Sequence, residues 1–317
     1  MKRYYLILIS ILVLVIVSIT SCDVLNVAHD GQKVVILSVG LDYKNTTVTP
    51  LKGTINDAKE MGMALKSLYD DRGIDCELIY MLQEGITSDI NSSFYPSARN
   101  ILKQIKELEL DSDDLFVFYY AGHGESGSGG SMFLACGKEV VYSGSSTVTY
   151  NYTELLMRDL QNQIMTLPCR SVVILDSCHS GMMDTLNEPN PNSWIDSLSL
   201  IFEPSWYNEG KISVLASAAA RNTAEDSVEI WFDEKNSERH GDFTNLLLNN
   251  LGWNHSCSEY TEYCNKDDSK VIIYGYSTGV KGKVTLDELY RNILKGNLQQ
   301  VPKLFGTMES INLIPSN

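Results

Sequence analysis

A succession of short apolar runs, separated by segments of helical periodicity, limits how this chain can fold more than any other feature. Lys33–Gly40, Cys76–Leu82, Asp114–Ala121, Ser171–Asp176 and Ile212–Ala216 are each rich in Val, Ile, Leu or aromatic residues and end at polar or Gly-containing turns. Runs of that length without alternation suit strands buried on both faces. Between them, Asn56–Asp71 carries Ala58, Met61, Met63, Leu65 and Leu68 at helical spacing, with Asn56 as its N-cap. Ser97–Leu108 places Ile101, Ile105 and Leu108 on one stripe. Met132–Ala135 reads as a further short strand, and Tyr152–Leu167, Phe243–Leu251 and Leu286–Leu294 read as helices. Strands alternating with helices predict an α/β fold. The expectation is a three-layer sandwich in which a mostly parallel sheet of about six strands lies between helices. Ligands of such sheets bind at the carboxyl ends of strands, where strand order reverses.

Two stretches interrupt the pattern. Met182–Gly210 contains three prolines and no Lys or Arg, and residues 253–283 lack clear periodicity. The expected organisation is one domain over residues 32–310. A first half, 32–181, is joined by an exposed loop, 182–210, to a second half, 211–310. Residues 22–31 form a polar tether. Ahead of it, Lys2 and Arg3 precede an uncharged apolar stretch, Tyr4–Thr20, which reads as a secretory signal over residues 1–21. A net charge of -15 argues against nucleic-acid binding, because phosphates need Lys and Arg.

The third and fourth strand candidates end in unusual residues. One closes on Ala121-Gly122-His123-Gly124 and the other on Asp176-Ser177-Cys178-His179-Ser180-Gly181. If these strands are neighbours, His123 and Cys178 share one rim of the sheet. A thiolate is the nucleophile in thiol chemistry, and an adjacent imidazole can remove the thiol proton and later protonate a leaving amine. Glycines beside both groups let backbone N–H donors approach a developing oxyanion, and Gly124 and Cys178 are the candidate donors. His179 points away from Cys178 in extended geometry. Asp176 lies two residues before Cys178 and so faces the same side. Of the seven cysteines, Cys76, Cys136 and Cys169 sit in or beside apolar runs and read as core residues. Cys257 and Cys264 flank a polar loop and could form a disulfide under oxidising conditions. No spacing suggests a zinc site.

Tyr119–Gly124 and Val172–Gly181 resemble the His and Cys motifs of the caspase–metacaspase clan. Leu51–Ala58, Val214–Ala218, Gly241–Thr244 and Val301–Phe305 resemble other segments of that family, so that the likeness covers about residues 32–310. The interval from His123 to Cys178 is close to the roughly 50 residues usual for caspases. The resemblance implies a cysteine endopeptidase acting on proteins or peptides through a thioester, with Cys178 as nucleophile, His123 as base and no cofactor. A backbone group often serves as the third catalytic element in this family. The Asp-Ser-Cys-His-Ser-Gly motif tilts the likeness toward members that cut after Arg or Lys, with Asp57 and Asp176 lining the substrate pocket. Helix-terminal charge for Asp57 and a structural hydrogen bond for Asp176 are the competing roles. Lys52 keeps an Asn- or Asp-specific pocket open, and a catalytically quiet binding module is the alternative from another class. The segment Gly124–Cys136 lacks the acidic run that binds calcium in some relatives, so the activity is expected to be calcium-independent, with no metal. A basic specificity would also leave the loop 182–210 uncut and the chain single. Ile19-Thr20-Ser21-Cys22 resembles a bacterial lipobox, which implies lipidation at Cys22 and a membrane-anchored lipoprotein of the cell envelope. A simple secretory signal and an uncleaved anchor are the other readings.

Overall fold

The computed structural model describes residues 31–44, 48–85, 89–126, 132–143, 147–179, 211–217, 240–256, 258–296, 302–305 and 312–314. The signal segment, Cys22, Cys257 and the loop 182–210 lie outside the described residues.

The sheet is built from β1 (Lys33–Leu41), β2 (Asp75–Gln83), β3 (Leu115–Ser126), β4 (Met132–Ser143), β5 (Thr147–Leu156), β6 (Arg170–His179), β7 (Ile212–Ala216) and a late strand, β13 (Lys303–Phe305). Its order is β13-β7-β6-β3-β1-β2, and β4 joins the far end of β3 and carries β5. The strands β7, β6, β3, β1 and β2 run parallel, while β13 is antiparallel to β7. The helices are α1 (Thr54–Asp70), α2 (Ala98–Lys106), α3 (Met157–Met165), α4 (Asp242–Asn250) and α5 (Leu286–Lys295). Strand order reverses beside β1, because β2 lies on one side of it and β3 on the other.

Alternation along the strands feeds two apolar layers. Val34, Ile36, Val117, Tyr119, Val172 and Ile174 pack toward α1, α4 and α5. Val35, Leu37, Phe116, Phe118, Val173 and Leu175 pack toward α2 and α3. Burying each large apolar side chain contributes about 1.5–3 kcal/mol, which fixes the sheet between its helices. The predicted three-layer α/β sandwich is therefore present.

Local readings differ in three places. The helix α1 begins at Thr54, with Gly53 at its cap and φ 90°, rather than at Asn56. Thr54 instead donates its hydroxyl to the carbonyl of Leu41 at 2.6 Å, pinning the helix to the end of β1. Glycine at position 40 makes this close approach possible, since a Cβ there would lie 2.7 Å from that of Ala58. The segment expected to be helical from Tyr152 is strand as far as Leu156, and only then does α3 begin. Thr147–Leu156 alternates β-branched and aromatic residues with polar ones, and it pairs antiparallel with a β4 that runs well past Ala135. The described residues of the insertion 253–283 form regular structure. They hold β8 (Trp253–Asn254), the hairpin of β9 (Tyr260–Cys264) and β10 (Lys270–Tyr274), and β11 (Tyr276–Ser277). Val271 and Ile273 of β10 turn into the core while their neighbours stay exposed. The remaining pair is β12 (Val284–Thr285) with β14 (Asn312–Ile314).

Candidate active site

Adjacent parallel strands align Ala121 with Asp176, Gly122 with Ser177 and His123 with Cys178. The two residues singled out for thiol chemistry thus sit opposite one another at the carboxyl ends of β3 and β6. Gly124 continues the register, facing His179 on β6 and Leu134 on β4.

The imidazole of His123 is buried at 3% exposure, and its Nε2 lies 2.8 Å from the carbonyl oxygen of Thr49. A carbonyl can only accept, so Nε2 carries the proton and Nδ1 is the basic nitrogen. Thr49 thus holds the ring through a backbone carbonyl. The main chain at His123 is fixed as firmly as its ring. Its N–H donates to the Tyr43 hydroxyl at 2.9 Å, and its carbonyl accepts from the Tyr120 hydroxyl at 2.8 Å. The two phenols lie 2.9 Å apart. Because Tyr120 gives its proton to the carbonyl, Tyr43 donates to Tyr120 and the circuit closes. The Tyr43 ring also packs on the imidazole, with centroids 4.7 Å apart. Gly122 allows this clamp, for a Cβ there would stand 2.6 Å from both phenolic oxygens. The sequence alone suggests for that glycine only access for an oxyanion. Burial, opposed by the Thr49 carbonyl, lowers the pKa of His123 below 6.5, so the ring is neutral and able to accept a proton.

The two pocket candidates are both fully buried, between the sheet and α1 and α4. Asp176 accepts a hydrogen bond from Thr244 of α4 through Oδ2, and Thr244 in turn accepts from Tyr119 at 2.6 Å. Its other oxygen, Oδ1, makes no hydrogen bond among the described residues, although Ser217 lies near enough to the carboxyl to favour its charged form. Burial, and then the nearby charge of Asp57, push the Asp176 carboxyl well above the usual range. Asp57 is already engaged. Its Oδ1 lies 2.8 Å from Nδ1 of His240, and both of its oxygens accept from the Gly241 N–H at 3.2 Å.

Sequence reasoning did not identify what lies beyond Asp57. The other nitrogen of His240, Nε2, is 3.1 Å from Oε2 of Glu60. Glu60 is buried one helical turn after Asp57 and also takes the indole N–H of Trp253 at 2.7 Å and Nδ1 of His255 at 3.0 Å. Burial disfavours charge on His240, but the hydrogen bonds from Asp57 and Glu60 outweigh it and hold the imidazolium, with its pKa raised to about 10. Carboxylates and imidazoles this far apart in sequence leave no local pattern; only the acidic pair on one face of α1 hinted at the cluster.

Cys76, Cys136 and Cys169 are buried core residues, as expected. Burial pushes all three thiols up, Cys76 to about 12 and Cys169 to about 11, which keeps them protonated and unreactive.

Comparison with known proteins falls on the same part of the chain. Residues 35–187 match the family model for the metacaspase, peptidase C14 domain. Metacaspase-4 of Arabidopsis thaliana is 32% identical over 151 residues, which are 45% of this chain and 32% of that protein. Metacaspase-1 of Plasmodium berghei (strain Anka) is 33% identical over 95 residues, 29% of this chain and 15% of that protein. The chain therefore spans about a third or less of the length of these curated relatives.

Proposed function

We propose that this chain, which carries a domain of the caspase/metacaspase-like cysteine peptidase family, is an endopeptidase that uses a Cys178–His123 dyad. The observation that carries this reading is the register of His123 against Cys178, with Nε2 of His123 held by Thr49. Nδ1 of His123 takes the Cys178 proton as the sulfur attacks the substrate carbonyl carbon. The carbonyl oxygen becomes an oxyanion, for which the N–H groups of Gly124 and Cys178 are the proposed donors. Collapse of the intermediate breaks the C–N bond, the imidazolium protonates the departing amine, and a thioester remains. Water, deprotonated by His123, then hydrolyses the thioester and restores the thiol.

Cleavage after Arg or Lys is the proposed specificity. It is supported by the buried Asp176, two residues before Cys178 on β6, whose Oδ1 makes no hydrogen bond among the described residues and would accept from a guanidinium, and by the nearby charge of Asp57. The saturation of Asp57 by His240 and Gly241 favours a second role for that residue, holding α1 to the segment before α4. An Arg-ending fluorogenic peptide separates these readings. Wild type should cleave it and Cys178→Ala should not. Asp176→Asn should lose about 10- to 100-fold in kcat/KM, the worth of one hydrogen bond to a charged group. Loss in Asp57→Asn with Asp176→Asn unaffected would reverse the two roles. Turnover surviving in Cys178→Ala would remove the peptidase reading.

Export and lipid anchoring through Cys22 are part of the same proposal and rest on the basic head, the apolar run and the Ser21-Cys22 junction. Cys22→Ser should shift the chain from the membrane to the soluble fraction.

A further inference from the structure

We propose that Glu60, His240 and His255 form a binding site for a divalent cation of the zinc class. This site is separate from the dyad and does not depend on the peptidase reading. One ligand atom from each residue lies within 4.8 Å of the others. Oε2 of Glu60 lies 3.1 Å from His240 Nε2 and 3.2 Å from His255 Nδ1. A tetrahedral zinc site with bonds of about 2.0–2.2 Å has ligand edges of about 3.3 Å, so two edges are already formed. A small turn of His255, whose side chain is 28% exposed, closes the third.

The surrounding groups suit this chemistry. His240 directs its Nδ1 at the Asp57 carboxylate, the arrangement in which a carboxylate fixes the ring so that Nε2 faces a metal. The Trp253 indole N–H donates to Oε2 of Glu60 and so holds that carboxylate in place. Without a metal, both nitrogens of His240 face carboxylate oxygens, so a proton must occupy the position that a cation would take. Two imidazoles and one carboxylate select zinc over calcium or magnesium, which prefer oxygen ligands. The exposure of His255 gives a path of entry, and solvent can supply a fourth ligand. The three ligands come from α1, from the residue preceding Gly241 and from the turn after β8, so a bound ion would tie the insertion to the body of the domain.

The test uses the full chain carrying Cys178→Ala, so that the candidate nucleophile cannot hold the metal, after treatment with chelator. Calorimetric titration with zinc chloride should give one site in the micromolar range or tighter, with a raised unfolding midpoint. Cobalt(II) should give the visible bands of a tetrahedral site. Adding His255→Ala, a change at a partly exposed position, should weaken binding by at least about tenfold and abolish those bands. Glu60→Gln, which preserves side-chain size, should do the same. Absence of saturable binding, or binding untouched by His255→Ala, would overturn the site.

Discussion

Two buried histidines among the described residues are held in opposite ways. His123 has neutral partners: two phenols grip its main chain, and a peptide carbonyl holds its ring. Burial therefore prevails and the ring is kept uncharged, with its pKa below 6.5. His240 lies between Asp57 and Glu60, and there the carboxylates prevail and the ring is kept charged. Similar burial yields a base in one place and a cationic bridge in the other. Partners, more than depth, decide which.

The contrast breaks most visibly at His123. Replacing it by Ala should lower kcat/KM by roughly 10³-fold or more, close to the effect of Cys178→Ala, if the proposed dyad acts as one unit. An effect below tenfold would leave the dyad without its base. At His240 the loss should appear in stability. His240→Ala leaves two buried carboxylates without their shared cation and should cost about 3–5 kcal/mol in chemical denaturation. A cost under 1 kcal/mol would mean that the cluster is solvated and its charge unimportant.

A smaller effect sharpens the comparison. Tyr43→Phe removes an acceptor from the buried His123 N–H and should cost about 1–3 kcal/mol. It should reduce kcat more than it alters KM, because it loosens the proposed base and leaves the proposed pocket residues Asp57 and Asp176 untouched. The subtlest test is pH. Protonation inactivates the base, so the acid limb of kcat/KM should fall below pH 6.5, where an ordinary histidine would already be half-protonated. Tyr43→Phe, by admitting water to the ring, should move that limb upward. A limb above pH 6.5 in wild type would mean that a negative group, and not burial, governs His123.

Much of this architecture was legible in the sequence because its signals are local. Apolar runs identify β1, β2, β3, β6 and β7, and Gly122-His123 and Ser177-Cys178 stand out at two strand ends. Tyr152–Leu156 reads as helix in the sequence because its strand character depends on pairing with β4, and a polar strand resembles a helix start when read alone. The insertion 253–283 looked irregular because its strands are short and only alternate residues, such as Val271 and Ile273, reach the core.

The sequence by itself determined the layered α/β class and the presence of an imidazole and a thiol at the ends of two strands, because hydrophobic periodicity and glycine placement act over a few residues. Only the tertiary structure decided that β3 lies beside β6 in the register that matches His123 to Cys178. It alone supplied the Thr49 carbonyl and the Tyr43–Tyr120 clamp, and it alone brought His240 and His255 to Glu60. Those contacts join residues tens to nearly two hundred positions apart. Their strength depends on burial and on the charge of each neighbour, which exist only after the chain has folded.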